Sequence, residues 1–209
     1  GEYSKGVKGH VRLWANMSAL TEFLPSALAS FLKTYPEIQV EVEEQLSGDI
    51  VRALMDGIAD IGVFAEGPST SGLDTQVMGT DQLVIACSAT HPLSKRKSIT
   101  FEESLEYDFV GLNRGSSLLE LTSRSAEKLG KQMRLRIQVR SYDAMCQMIA
   151  VNLGIGVLPF QACEAQLKAM GLKAITLEDS WAKRNLILAT KANINHSPAT
   201  TLLSQHLLQ

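Results

Sequence analysis

The spacing of apolar residues changes several times along the chain, and each change marks an element. Val11, Leu13 and Ala15 alternate with His10, Arg12 and Trp14, the period of a strand. From Leu20 the spacing lengthens, and Leu20, Phe23, Leu24, Ala27, Leu28, Phe31 and Leu32 make one apolar helical face. The turn between them is Asn16-Met17-Ser18, with Ser18 standing where a helix N-cap belongs. Pro25 sets a short opening turn apart from the helix body, and Tyr35-Pro36 ends it. Ile38 to Glu43 alternates again, a strand with one acidic face. Ser47-Gly48-Asp49 opens a helix on Ile50, Val51, Leu54 and Met55 that Gly57 stops. Asp60 to Phe64 is a short buried strand. Strand, helix, strand, helix, strand implies right-handed crossovers and a parallel sheet.

Glu66 to Gly72 is a Gly/Ser/Thr/Pro loop. Leu83 to Ala86 is a strand, and Ser88 to Leu93 reads as a crossing into a second domain. Thr100-Phe101-Glu102-Glu103 fits a capping box, as does Ser117-Leu118-Leu119-Glu120, whose helix runs to Leu129 and stops at Gly130. Asp108 to Leu112 and Leu135 to Val139 are strands. Ser141 is an N-cap candidate for a helix carrying Ala144, Met145, Met148, Ile149 and Val151, ended by Gly154. Ile155 to Pro159 is a strand, and Gln161 to Met170 a helix stopped by Gly171. Leu172 to Leu177 and Leu186 to Ala189 are strands, and Ser197-Pro198 opens a last amphipathic helix. The second half repeats the logic of the first: strand, serine-bearing turn, helix.

The chain has 209 residues, 45% of them hydrophobic, enough for one or two domains with real cores. The formal net charge of -2 announces no basic stripe of the kind that grips DNA. Lys95-Arg96-Lys97 is the one dense basic run, and a solvated loop accounts for it. No window reaches 18 uninterrupted apolar residues, so no membrane span is expected. The opening, Gly1 to Gly6, has no initiator Met and does not read as a signal peptide; it looks like a processed or truncated boundary. Cys87, Cys146 and Cys163, without a CxxC, fit buried unpaired thiols in a reducing cytoplasm. The four histidines are scattered, and neither a metal site nor a cofactor site is expected. No nucleophile elbow or phosphate loop suggests an enzyme.

A set of individually weak motifs resembles one family. Gly9-His10-Val11-Arg12-Leu13, Leu24-Pro25 through Phe31 to Tyr35-Pro36, Asp56-Gly57-Ile58-Ala59-Asp60-Ile61-Gly62-Val63, His91-Pro92-Leu93, and Ser141-Tyr142-Asp143-Ala144-Met145 through Asn152 to Pro159 occur in order. The set is similar to the effector-binding domain of LysR-type transcriptional regulators. The resemblance implies an α/β fold of the type 2 periplasmic-binding-protein kind, with two Rossmann-like subdomains joined by two crossing strands. Subdomain I would be residues 1–88 with 189–209, and subdomain II 89–188. It also implies a small-molecule effector in the cleft between them, and DNA contact only through a winged helix-turn-helix absent from this sequence. The tail of the linker helix would be Glu2 to Gly9. A homodimer is implied, tetrameric in the full-length protein, in which the helix Phe23–Lys33 and strand Ile38–Glu43 meet the helix Leu118–Leu129 of a partner. A transporter's solute-binding protein shares the fold and is the alternative.

Strand ends that run into helix starts present free N–H groups and favour anions. The expected ligand-binding residues are therefore Asn16, Met17 and Ser18, Arg114, Ser116 and Ser117, and Ser141. Ser47, Phe64, Ala65 and Glu66 border the same space, and Phe160 borders it from the second half. Met17, Phe64 and Phe160 would cover the apolar part of a small anion. Arg114 is either its counter-ion or a surface residue, and Ser18 either a ligand contact or a cap alone. Ser18→Ala and Ser116→Ala are expected to weaken binding without moving the thermal midpoint.

Overall fold

A computed structural model describes residues 6–209, which form two compact units. One holds the chain up to Thr80 together with Asn185–Gln209, and the other holds Asp81–Arg184. The expected linker remnant falls largely on residues 1–5, outside the described residues; Gly9 already belongs to a strand.

The first unit is built on β1 (Gly9–Ala15), β2 (Ile38–Glu44) and β3 (Ile61–Ala65). All pair in parallel around a central β1, with Gly9 opposite Ile38 and Leu13 opposite Ile61. The helices α1 (Met17–Glu22), α2 (Leu24–Thr34) and α3 (Ser47–Met55) make the crossovers, as the changing periodicity predicts. Phe23 and Pro25 break the first helical run in two. Strand alternation then sorts the core. Val11, Leu13, Ile61 and Val63 pack with Phe31, Leu203 and Leu207 on one side. Phe64 packs with Ile50, Ala53, Leu54 and Ala189 on the other. Gly62 permits this second layer, since a Cβ there would lie 2.6 Å from Ile50 Cγ2 and 2.8 Å from Leu54 Cδ1. Beneath the strands, Arg12 and Asp60 are forked together: Nη2 donates to Oδ1 at 3.0 Å, Nε to Oδ2 at 3.2 Å, and the Arg12 N–H to Oδ2 at 2.8 Å.

β4 (Leu73–Cys87) and β10 (Lys183–Lys191) are the two strands by which the chain passes between the units. β4 begins at Leu73 rather than Leu83, because Asp74, Thr75 and Gln76 extend as a mostly exposed strand where no apolar alternation betrays them. β10 runs antiparallel to β3, and α8 (Pro198–Leu207), capped by Ser197 as expected, packs on α2 and β1.

In the second unit β5 (Ser98–Ile99), β9 (Lys173–Leu177) and β8 (Gly156–Pro159) join the latter part of β4. β6 (Asp108–Leu112) and β7 (Arg134–Val139) pair in parallel, and Phe109 bridges Ile155 in parallel. The helices are α4 (Phe101–Ser104), α5 (Ser117–Lys128), α6 (Tyr142–Ala150) and α7 (Phe160–Ala169). The Thr100 capping box forms. The one read at Ser117 does not: Ser116 is the cap, its Oγ accepting from the Leu119 N–H at 3.1 Å, so Glu120 falls one position too late to reach back. α6 closes at Val151, with Asn152 in the left-handed region at φ 61°, ahead of the Gly154 stop expected. His91-Pro92-Leu93 is a structural cap: His91 Nδ1 accepts from the Leu93 N–H at 3.0 Å, and its ring stands edge-on to Tyr107. Burial pushes the His91 pKa below its ordinary value.

Candidate functional site

In each unit, parallel strands end in turns that start helices. In the first, Ala15, Glu44 and Ala65 end β1, β2 and β3 at one edge of the sheet. Asn16 leaves β1 with its N–H on the Val63 carbonyl at 2.9 Å. Its side-chain oxygen then caps α1, accepting from the Ala19 N–H at 3.0 Å. The cap is thus Asn16, two residues before the serine read for that role. Ser18 lies inside the first helical turn and is buried, while Met17 is half-buried. An amide cap spends its oxygen and leaves two Nδ2 protons to donate.

Ser47 is not a cap either. It is the first residue of α3, whose N-cap is Leu46 with no side-chain bond. The Ser47 Oγ is buried without a partner among the described residues. Ala65 is buried at the end of β3, and Glu66 is fixed by Asn185. The Asn185 N–H donates to Glu66 Oε1 at 2.8 Å and its Nδ2 to Oε2 at 3.3 Å, while the Glu66 N–H returns to the Asn185 carbonyl. Asn185 was not read from the sequence, where 119 residues separate it from Glu66. Phe64 is a correction: it points into the core layer under α3 with no exposed surface, and is unavailable to cover a ligand.

In the second unit, Leu112 and Val139 end β6 and β7 side by side, and the Asn113 N–H donates to the Val139 carbonyl at 3.0 Å. The turn Asn113–Ser116 places Gly115 at φ 93°, which brings Ser116 under the start of α5. Ser141 caps α6 in the same way, its Oγ accepting from the Ala144 N–H at 3.0 Å. A serine cap accepts through a lone pair and keeps its own O–H to donate. Two adjacent strand ends therefore present two hydroxyl donors, each at the N-terminus of a helix of nine residues or more. Ser117 and Phe160 are half-buried beside these starts, and Phe160 begins α7 directly after β8. Arg114 is exposed on the turn.

Sequence reading also missed a buried ion pair. Asp81 of β4 and Arg184 of β10 have side chains 0% and 4% exposed, with Arg184 Nη2 3.1 Å from Asp81 Oδ2. Arg184 Nε donates to the same oxygen at 3.1 Å, and Asp81 Oδ1 is buried with no partner among the described residues. Burial pushes the Asp81 pKa up, and Arg184 opposes it in part. Next to it, the Gln82 N–H donates to the Gln161 side chain at 3.1 Å. The three cysteines are buried, and burial raises the Cys87 and Cys146 thiols to about 11. Among the described residues no cluster of three metal-ligating side chains occurs, and no helix is long and apolar enough to cross a membrane.

Residues 4–209 match the profile of the LysR substrate binding domain. Among curated relatives, a probable RuBisCO transcriptional regulator of Trieres chinensis is 23% identical over 97% of this chain and 68% of its own length. The uncharacterized HTH-type transcriptional regulator YbhD of Escherichia coli K12 is 27% identical over 73% of this chain and 48% of its own length. The chain thus spans from about half to about two thirds of these relatives. Two solved structures share the fold. The regulatory domain of CcmR from Synechocystis PCC6803, in complex with 2-PG, superposes with a TM-score of 0.88 at 23% identity, covering 96% of each chain. The effector binding domain of QuiR in complex with shikimate gives 0.85 at 19% identity, covering 97% of this chain and 96% of that one.

Proposed function

The chain belongs to the LysR substrate-binding domain family, and from that premise we propose that it is the effector-sensing part of a cytoplasmic transcriptional regulator. It binds a small anionic metabolite and transmits its presence to a DNA-binding part outside this sequence. One observation carries the choice of an anion: after capping their helices, Ser116 and Ser141 both retain hydroxyl donors, at adjacent ends of the parallel strands β6 and β7. Hydrogen bonds to a charged group contribute roughly 1.5–3 kcal/mol each. Two of them, from Ser116 and Ser141 at adjacent strand ends, supply about 3–6 of the about 8 kcal/mol of a micromolar complex. That QuiR is seen with shikimate, a carboxylate, supports this class. The solute-binding alternative gains nothing from the two relatives named above, both described as transcriptional regulators.

The test is calorimetric titration with a panel of small carboxylates that includes shikimate. Capping changes one earlier expectation: Ser116→Ala removes a helix cap and costs about 1 kcal/mol, so its midpoint falls. Glycine caps almost as well. Ser116→Gly and Ser141→Gly therefore delete the hydroxyl with little loss of stability, and each is expected to weaken binding at least tenfold. Full-strength binding by both variants would overturn the site.

A further inference from the structure

A concavity of about 450 Å³ lies wholly within the first unit, away from the strand ends just described. Its walls are the outer part of β4 (Asp74, Gln76), Thr190 of β10, His196, and one face of α8 (Thr200, Ser204). α8 is divided by period. Ala199, Leu203 and Leu207 are buried in the core, while the stripe through Thr200, Ser204 and Leu208 faces the concavity.

A polar helix face is ordinarily just solvated, and two observations set this one apart. It borders a hollow large enough for a small molecule. The Ser204 Oγ in its wall is also shielded from solvent without a partner among the described residues. The chemistry of the lining is selective. It holds hydroxyls, amides, one carboxylate and one imidazole beside Leu188 and Leu208, and among the described residues no lysine or arginine. His196 Nε2 lies 2.9 Å from the Lys191 carbonyl, which can only accept, so that nitrogen carries a proton and donates it there. Asp74 disfavours anions, and the mixture of donors and acceptors suits a molecule that offers both at every carbon.

We propose that this concavity binds a neutral polyhydroxylated small molecule of monosaccharide size, independently of the anionic effector. The test is a ¹⁵N–¹H correlation titration of the domain with D-glucose, D-ribose and myo-inositol, against glucose 6-phosphate and putrescine. At least one neutral polyol should shift the amides of Asp74–Gln76 and Thr200–Gln205 saturably. Those of Ser116, Ser117 and Ser141 should stay still, so that this result and the effector reading stand or fall separately. Glucose 6-phosphate should bind at least fivefold more weakly than glucose. Ser204→Ala and Asp74→Asn should each weaken the polyol at least fivefold, with the circular dichroism of the fold unchanged. The proposal is overturned if no neutral polyol gives a saturable shift there, if the phosphate or the amine binds more tightly, or if both variants bind as the parent does.

Discussion

Replacing Arg184 by Met tests the energetics of the buried pair. At an effective dielectric of 20, opposite charges 3.1 Å apart attract by about 5 kcal/mol. Withdrawing two such ions from water costs several kcal/mol each. The intact pair therefore roughly breaks even, while a lone survivor does not. Asp81 would remain 0% exposed with its charge uncompensated, and Arg184→Met should lose about 3–5 kcal/mol. That is a large share of the roughly 5–15 kcal/mol that holds a typical domain together. The double variant Asp81→Leu/Arg184→Met should return to within about 1 kcal/mol of the parent, giving a coupling of about 3 kcal/mol. Urea unfolding of all four proteins at pH 7 measures each corner of the cycle. A loss below about 1 kcal/mol for the single variant, or additive losses in the double, would refute the reasoning. The pH dependence has a definite sign. Because burial raises the Asp81 pKa above 3.8, the folded state takes up this proton before the unfolded chain does. Its contribution to stability thus grows as pH falls toward 3.8, and removing Arg184, which lowers that pKa, widens the window.

His91 titrates in the opposite sense. Its folded pKa lies below 6.5, so its contribution is complete above 6.5 and is lost as pH falls through the lowered value; urea midpoints between pH 5 and 8 should show this slope, and His91→Gln should flatten it. For assembly, Val42 on β2 and Leu129 at the end of α5 are exposed apolar side chains, one on each of the two surfaces proposed to meet in a homodimer. Val42→Glu should shift sedimentation from dimer to monomer, and an unchanged profile would remove β2 from the interface.

Periodicity made the fold legible wherever a strand is buried on one face or a helix is amphipathic. It failed at the first part of β4, where Asp74, Thr75, Gln76 and Val77 are all exposed and give no alternation. The serines were legible as helix starts, but their roles slipped by a residue or two. Asn16 and Ser116 won the caps over Ser18 and Ser117 because the hydrogen bond goes to the residue whose backbone is still extended. Phe64 read as a ligand cover because a strand end says nothing of which face meets α3. Asp81 and Arg184 stand 103 residues apart, and no local pattern joins them. Glu66 and Asn185 were hidden for the same reason.

The Arg12–Asp60 fork has a consequence at the opposite end of its strands. Sliding β3 along β1 by two residues would keep every side chain on its proper face, so the hydrophobic layers alone do not forbid it. Such a slip would carry Glu66 about 7 Å past Asn16 and take the turns at the sheet edge out of step. The fork, reinforced by the Asp60 N–H on the Arg12 carbonyl at 2.9 Å, is satisfied in only one alignment. A charged clasp at the bottom of the sheet thus acts as the ruler by which the top is assembled.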